Sequence, residues 1–393
     1  MDFNAYFSPV DRGSLGINST LIEQESQLLF NQVFFFDHQE ELDFTNIKIV
    51  IVGVPESRNS YENLSCSLAP DEIRRQFYKL YTWANPMGVM DLGNLKVGNT
   101  IKDTYEALSE VVAYFVDLKI IPIILGGSND LAYGCYMGYE KLERVVNIVS
   151  VDACLDMGNE NMPLKSNAYL NKIVMRQPNY LLNYANIGYQ TYMNSQETLE
   201  LMKKLFFETY RVGLIRQNME EVEPIVRNAE MLSLDVSAIR RPDAPGNPHG
   251  SSNGFYGEEI CQVTRYGGLS DNLSSFGVYE YDPTIDYNNQ TSQLLAQAIW
   301  YFVEGVTLRQ DDISFKNKNN YVKHSVSVSE NEKELIFYRS KKTGRWWIVV
   351  PVINKNDVLD QKYFLPCSQA DYKTACQDRI PERWWAAFYK LNK

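Results

Sequence analysis

The chain has 393 residues, 45% hydrophobic and 22% charged, and its 38 Lys and Arg against 49 Asp and Glu leave a net charge of −11. That length suits one α/β domain of roughly 250–300 residues with an appendage. The acidic balance argues against a nucleic-acid backbone or an anionic membrane surface as partner. The longest apolar runs, such as Ile47–Val54 and Ile120–Leu125, are too short to span a bilayer.

Met1–Gly16 has no basic stretch leading into an apolar one, so no secretory signal is expected. Cys66, Cys135, Cys154, Cys261, Cys367 and Cys376 lack paired spacing, which predicts no disulfide framework and a reducing, cytoplasmic setting. Along the chain, Asn46–Gly53 reads as a buried strand followed by a turn at Pro55. Pro70–Tyr81 reads as a helix with Asp71 and Glu72 in its first turn. Asp103–Leu118 is a second helix, and Ile120–Leu125 and Val145–Val151 are the next two strands. Ser195–Phe206 and Glu220–Ala229 read as helices, Met231–Val236 and Ser275–Tyr281 as strands, and Gln290–Val303 as an amphipathic helix. This alternation predicts parallel βαβ units in residues 1–310, with a polar linker over 311–325. An extension then follows over 326–393, opening with a hairpin (Glu334–Ser340, a turn at 341–344, Arg345–Val352) and ending in a helix. Four of the six Trp lie in it.

Loops at the carboxyl ends of parallel strands are where such sheets place their chemistry. Here they are Gly126–Asp130, Asp152–Gly158, Asp235–Gly246 and Glu280–Pro283, all rich in Asp, Gly and small polar residues. Three of these runs, Leu125-Gly126-Gly127-Ser128-Asn129-Asp130, Asp152-Ala153-Cys154-Leu155-Asp156 and Ser233-Leu234-Asp235-Val236-Ser237, come in order and are followed by Pro245-Gly246 and Gly254. In this the chain resembles the ureohydrolase (arginase, agmatinase, formimidoylglutamase) superfamily along residues 46 to 305. The family's runs are Gly-Gly-Asp-His-Ser, Asp-Ala-His-x-Asp and Ser-x-Asp-x-Asp. The resemblance implies a three-layer α/β/α fold with a mainly parallel sheet. It also implies a centre in which two Mn²⁺ ions share a bridging hydroxide that attacks an amidine-like carbon. Its metal-ligand positions fall on Asn129, Asp152, Cys154, Asp156, Asp235 and Ser237, and its substrate-facing glutamate on Glu280. The tail is similar to those of formimidoylglutamase-like proteins of some bacteria.

The departures are chemical. Both ligand histidines are replaced, by Asn129 and Cys154, and one ligand aspartate by Ser237. Two ions are therefore not expected. The remaining set, Asp152, Asp156 and Asp235 with an Asn129 carbonyl, is all oxygen and suits at most one hard cation (Mn²⁺, Mg²⁺ or Ca²⁺). The preferred expectation is that no metal binds, because Arg240 or Arg241 pairs with the three aspartates in its place. Cys154 is expected to be a small buried filler rather than a soft ligand or nucleophile.

The leading functional reading is a non-catalytic relative serving as a binding or scaffold module, in a homo-oligomer or a larger complex engaged through the extension. Trp346, Trp347, Trp384 and Trp385 are its candidate interface, or else a small satellite core, the reading favoured for them. The alternative is a metal-dependent C–N hydrolase of formimidoyl-glutamate or a guanidino compound, against which stands the lack of proton-handling histidines. A second alternative is a sensor of a cationic metabolite at Glu280.

Overall fold

A computed structural model describes residues 1–38, 42–158, 162–312, 318–328, 333–352 and 361–392. Ten strands form the main sheet: β1 (Phe7–Ser8), β2 (Phe34–Phe35), β3 (Ile47–Val54), β4 (Gly88–Leu95), β5 (Ile121–Gly126), β6 (Val146–Val151), β7 (Leu181–Tyr189), β8 (Glu208–Arg211), β9 (Met231–Asp235) and β10 (Ser275–Tyr279). Their order is β1-β4-β3-β5-β10-β9-β6-β7-β8, with β2 also on β4, and β1 is the one strand paired antiparallel.

The apolar runs have no alternation because both faces of the sheet are covered. In β3, Ile49 and Ile51 face one core, and Val50, Val52 and Val54 face the other. Helices Ala69–Phe77, Gly257–Leu269 and Gln290–Thr307 close the first face, and Ile101–Asp117 and Leu131–Lys141 the second. The expected three layers are thus present. Local signals set the helix starts: Thr100 and Asp103 form a capping box, and Pro70 occupies the first turn ahead of Asp71 and Glu72.

Several elements had no clear periodic signal. β4, to which no element was assigned, carries Asp91 in its centre, where Arg74 forms a buried two-point pair with it (2.8 and 2.9 Å). Helix Leu131–Lys141 is interrupted by glycines. A Cβ at Gly138 would lie 2.8 Å from Val112, so the glycine lets this helix lie close against Ile101–Asp117.

The extension is a four-stranded antiparallel sheet, β11 (Tyr321–Val328), β12 (Lys333–Ser340), β13 (Trp346–Val352) and β14 (Gln361–Cys367), followed by helices Gln369–Cys376 and Glu382–Leu391. The expected hairpin is β12–β13. The expected linker needs correction: residues 313–317 lie outside the described residues, and 321–325 belong to β11.

Adjacent strand residues point to opposite faces, and both tryptophans of β13 find partners. Trp346 stacks on Tyr372 at 4.8 Å inside the extension's own core, where Trp384 is also buried. Trp347 faces the main domain, with the Arg227 guanidinium 4.5 Å from its ring. Arg227 also donates to the carbonyls of Trp346 (3.1 Å) and Cys367 (3.3 Å) and pairs with Glu223 (2.8 Å). As an exposed interface the four tryptophans are therefore corrected. Trp346, Trp347 and Trp384 are 7%, 2% and 3% exposed, and half-buried Trp385 packs on Trp384 and Tyr389. Trp346 and Trp384 join Leu335, Phe337, Ile348, Val350 and Leu365 in a satellite core, and Trp347 docks it.

No disulfide joins the six cysteines. Among the described residues no helix is long and apolar enough to cross a membrane.

Candidate functional site

β5, β10, β9 and β6 are neighbours at the middle of the sheet, so their carboxyl ends meet. They deliver Gly126–Asp130, Glu280, Asp235 and Asp152 to one place. Gly127 permits the turn after β5, since a Cβ there would lie 1.8 Å from the Glu56 carbonyl oxygen. Asp156 and Glu280 both adopt left-handed backbone (φ 44° and 62°), a costly conformation for non-glycine residues that clusters at functional sites.

Carboxylate oxygens of Asp152, Asp156 and Asp235 lie within 4.8 Å of one another, all buried. Burial raises all three above the usual carboxylate range. Asp156 reaches about 7 and Asp235 about 6. Asp152 is raised well above its ordinary value, by burial first and then by the charges of Asp156 and Asp235.

The expected counter-charge is not there. Arg240 pairs with Asp243 (2.8 and 2.9 Å) and stacks on Tyr256 at 3.9 Å, while Arg241 donates to the carbonyls of Pro248 (2.9 Å) and Gly250 (3.0 Å). The replacement of a metal by Arg240 or Arg241 is thus overturned. Asp243, three residues beyond Arg240, is a nearer carboxylate that leaves the guanidinium half in water, where it is cheaper to keep charged.

The remaining ligand positions surround the same trio. Asn129 donates its amide to Asp152 (3.2 Å) and Asp156 (2.9 Å), and its Oδ1 accepts from Ser233 (3.3 Å). The expected carbonyl ligand is therefore turned away, and a half-turn of the amide would present it to a cation. Ser237 donates its hydroxyl to Asp152 (2.9 Å) and its backbone N–H to Asp235 (2.7 Å). Cys154 is half-buried rather than fully enclosed and lines the cleft. Burial, reinforced by the three aspartates, pushes its thiol far up, which makes it a poor thiolate ligand or nucleophile.

Glu280 accepts from the Asn129 backbone N–H (2.9 Å), Asn63 Nδ2 (2.9 Å) and Ser60 Oγ (3.4 Å). Burial, and then Asp235, raises it to about 8. It borders an open cleft of about 380 Å³ with Asp152, Asp156 and Asp235 at its base. Among the described residues, none of the tail lines this cleft.

Among the lining residues that went unnoticed in the sequence are Tyr61 and His249, whose rings stack at 5.6 Å. His249 follows the Pro245-Gly246 turn, and that proximity was the only available signal.

With this geometry in hand, the comparisons are specific. The model of the arginase family matches residues 47–304. Formimidoylglutamase of Bacillus subtilis (strain 168) is 22% identical over 277 residues, covering 66% of this chain and 87% of the relative. That of Staphylococcus haemolyticus is 23% identical over 255 residues, covering 62% and 81%. The crystal structure of the Bacillus subtilis formimidoylglutamase superposes with a TM-score of 0.64 at 21% identity, covering 73% of this chain and 94% of that one. A Trypanosoma cruzi formiminoglutamase with Mn²⁺ gives 0.62 at 16%, covering 72% and 99%. The chain belongs to the arginase family.

Proposed function

We propose that the protein is a metal-dependent hydrolase that cleaves a C–N bond of an amidine-type substrate, formimidoyl-glutamate being the first to try, and that it works with one divalent cation. The observation that carries this reading is the trio Asp152, Asp156 and Asp235. Three carboxylates are buried together, and among the described residues no Lys or Arg pairs with them. Such a cluster is costly unless protons or a cation offset its charge. An all-oxygen set fits Mn²⁺, Mg²⁺ or Ca²⁺. A second ion lacks ligands, because Ser237 spends its hydroxyl on Asp152 and no imidazole stands at position 129 or 154.

The scaffold reading rests on the loss of three of the six ligands, but with Arg240 and Arg241 bonded elsewhere the aspartates keep their need for a cation, and formimidoylglutamases among the relatives favour hydrolysis. A bound cation supplies Lewis acidity that makes a water nucleophilic near neutral pH. This chain's residues do the rest. Glu280, fixed by Asn129 and Asn63, offers a carboxyl that an incoming amidinium would hold ionised. The cleft admits an amino-acid-sized substrate and holds it against Asp152 and Asp235. Elemental analysis of protein purified without chelator, paired with an assay of formimidoyl-glutamate hydrolysis, tests this. One ion per chain and activity lost in Asp152→Asn and Asp235→Asn is the expected result. Activity that survives both substitutions would rule the site out.

A further inference from the structure

A hydrolase of amidines must move protons, and the ligand histidines that could have helped are missing. Of the chain's three histidines, His38 bonds Asn4 on the N-terminal segment, and His324 sits between Trp346 and Tyr372 in the extension. His249 alone of the three lines the cleft that Asp235 and Glu280 also line.

Its placement is built, not incidental. The His249 backbone N–H donates to Asn247 Oδ1 (2.7 Å), and Asn247 Nδ2 reaches the Glu280 carbonyl (3.5 Å). The ring stacks on Tyr61, and Nε2 lies 2.8 Å from the Tyr61 carbonyl oxygen. Ser60 and Asn63, on the same short loop, hold the Glu280 carboxylate. One loop therefore positions both the glutamate and the imidazole. A carbonyl oxygen only accepts, so Nε2 carries the hydrogen and the neutral ring keeps its lone pair on Nδ1. The charged groups around the ring are Asp235 and Glu280 from the strand ends and Arg241, which grips the carbonyls on either side of His249.

We propose that His249 is the proton-transfer residue of this site, taking up the proton released as water adds to the amidine carbon and giving it to the leaving nitrogen. The balance closes without a redox partner. A C–O bond forms as the C=N π pair goes to its nitrogen, and the C–N bond then breaks with its electron pair going to the leaving nitrogen, which receives both protons of the water, the first through Nδ1 and the second as the hydroxyl of the adduct becomes a carbonyl. This inference rests on the hydrolase reading above.

The test uses the full chain with its metal. In His249→Gln the amide still donates to the Tyr61 carbonyl but cannot carry a proton, and His249→Ala leaves room for added imidazole. The expected result is a kcat for formimidoyl-glutamate about 10²–10³-fold lower in both variants. Metal content should be unchanged, and imidazole should restore a good part of the His249→Ala loss. His38→Gln serves as the control at full activity. Turnover equal to wild type, or a loss that imidazole does not restore, overturns the proposal. If wild-type protein hydrolyses nothing, the hydrolase reading is what has failed. The His249 contact is then decided by ¹⁵N-imidazole spectra of the Mg²⁺-loaded protein titrated with acetamidine. A shift confined to His249 supports the contact, and an unmoved His249 overturns it.

Discussion

Replacing Asp156 by Asn should make the metal-free protein more stable at alkaline pH, and the size of the gain follows from the site. Burial, with help from Asp235, lifts the Asp156 carboxyl from 3.8 to about 7. A folded-state value above the unfolded one means the unfolded chain ionises first. Stability therefore falls as pH rises from about 4 to about 7 and levels off above that. At 1.36 kcal/mol per pH unit between the two values, keeping the ionised group in the fold costs about 4 kcal/mol. Asparagine has no such cost, and its Oδ1 can still accept the 2.9 Å hydrogen bond from Asn129. A net gain of about 2–4 kcal/mol is expected once imperfect geometry is allowed for. With an unfolding entropy of roughly 2.1 cal/mol/K per residue, that is a Tm about 2–5 °C higher. The assay is calorimetry of chelator-treated wild type and Asp156→Asn at pH 4 and pH 8, with and without Mn²⁺. The variant should gain at pH 8 and not at pH 4, and Mn²⁺ should raise the Tm of wild type alone. A variant no more stable than wild type at pH 8, or one that gains equally at pH 4, would refute the picture of three uncompensated carboxylates.

Glu280→Gln turns one of two acceptor oxygens into a donor facing Asn63 or the Asn129 N–H, so kcat/KM for a cationic amidine should drop at least about 100-fold while metal content holds. Steady-state kinetics with elemental analysis checks this, and a variant with wild-type kcat/KM would remove Glu280 from the site. Restoring the family's ligands in Asn129→His/Cys154→His/Ser237→Asp should raise the bound Mn²⁺ from one ion per chain to two. A stoichiometry that stays at one would place the obstacle outside these three positions. Arg227→Ala removes the cation over Trp347 and strands two buried carbonyls, at a cost of about 3–5 kcal/mol. Denaturant unfolding monitored by Trp fluorescence measures it, and a loss under 1 kcal/mol would mean that the extension is held by other contacts.

The parallel sheet and the position of its site were legible because both rest on local patterns. Runs such as Ile47–Val54 need two covered faces, and the Asp- and Gly-rich turns after β5, β6, β9 and β10 mark carboxyl ends. The ligand positions followed from motif order, and the structure gathers all of them, Asn129, Asp152, Cys154, Asp156, Asp235 and Ser237, with Glu280 beside them. Strand β4 was hidden for the opposite reason. Its central Asp91 makes sense only against Arg74, a partner 17 residues away whose approach no local pattern reveals.

Long side chains were beyond the sequence altogether. Composition fixes how many charges the chain carries, but not which partner each will reach. Arg240 stands five residues from Asp235 and in the sequence is a ready counter-charge for it, yet Asp243 offers it a bond at the edge of water and takes it. The orientation of the Asn129 amide, the docking of Trp347 on Arg227 and the arrival of His249 at the cleft were settled in the same way. Each is a competition between partners brought together by distant parts of the chain, and the desolvation that decides it exists only once the fold has formed.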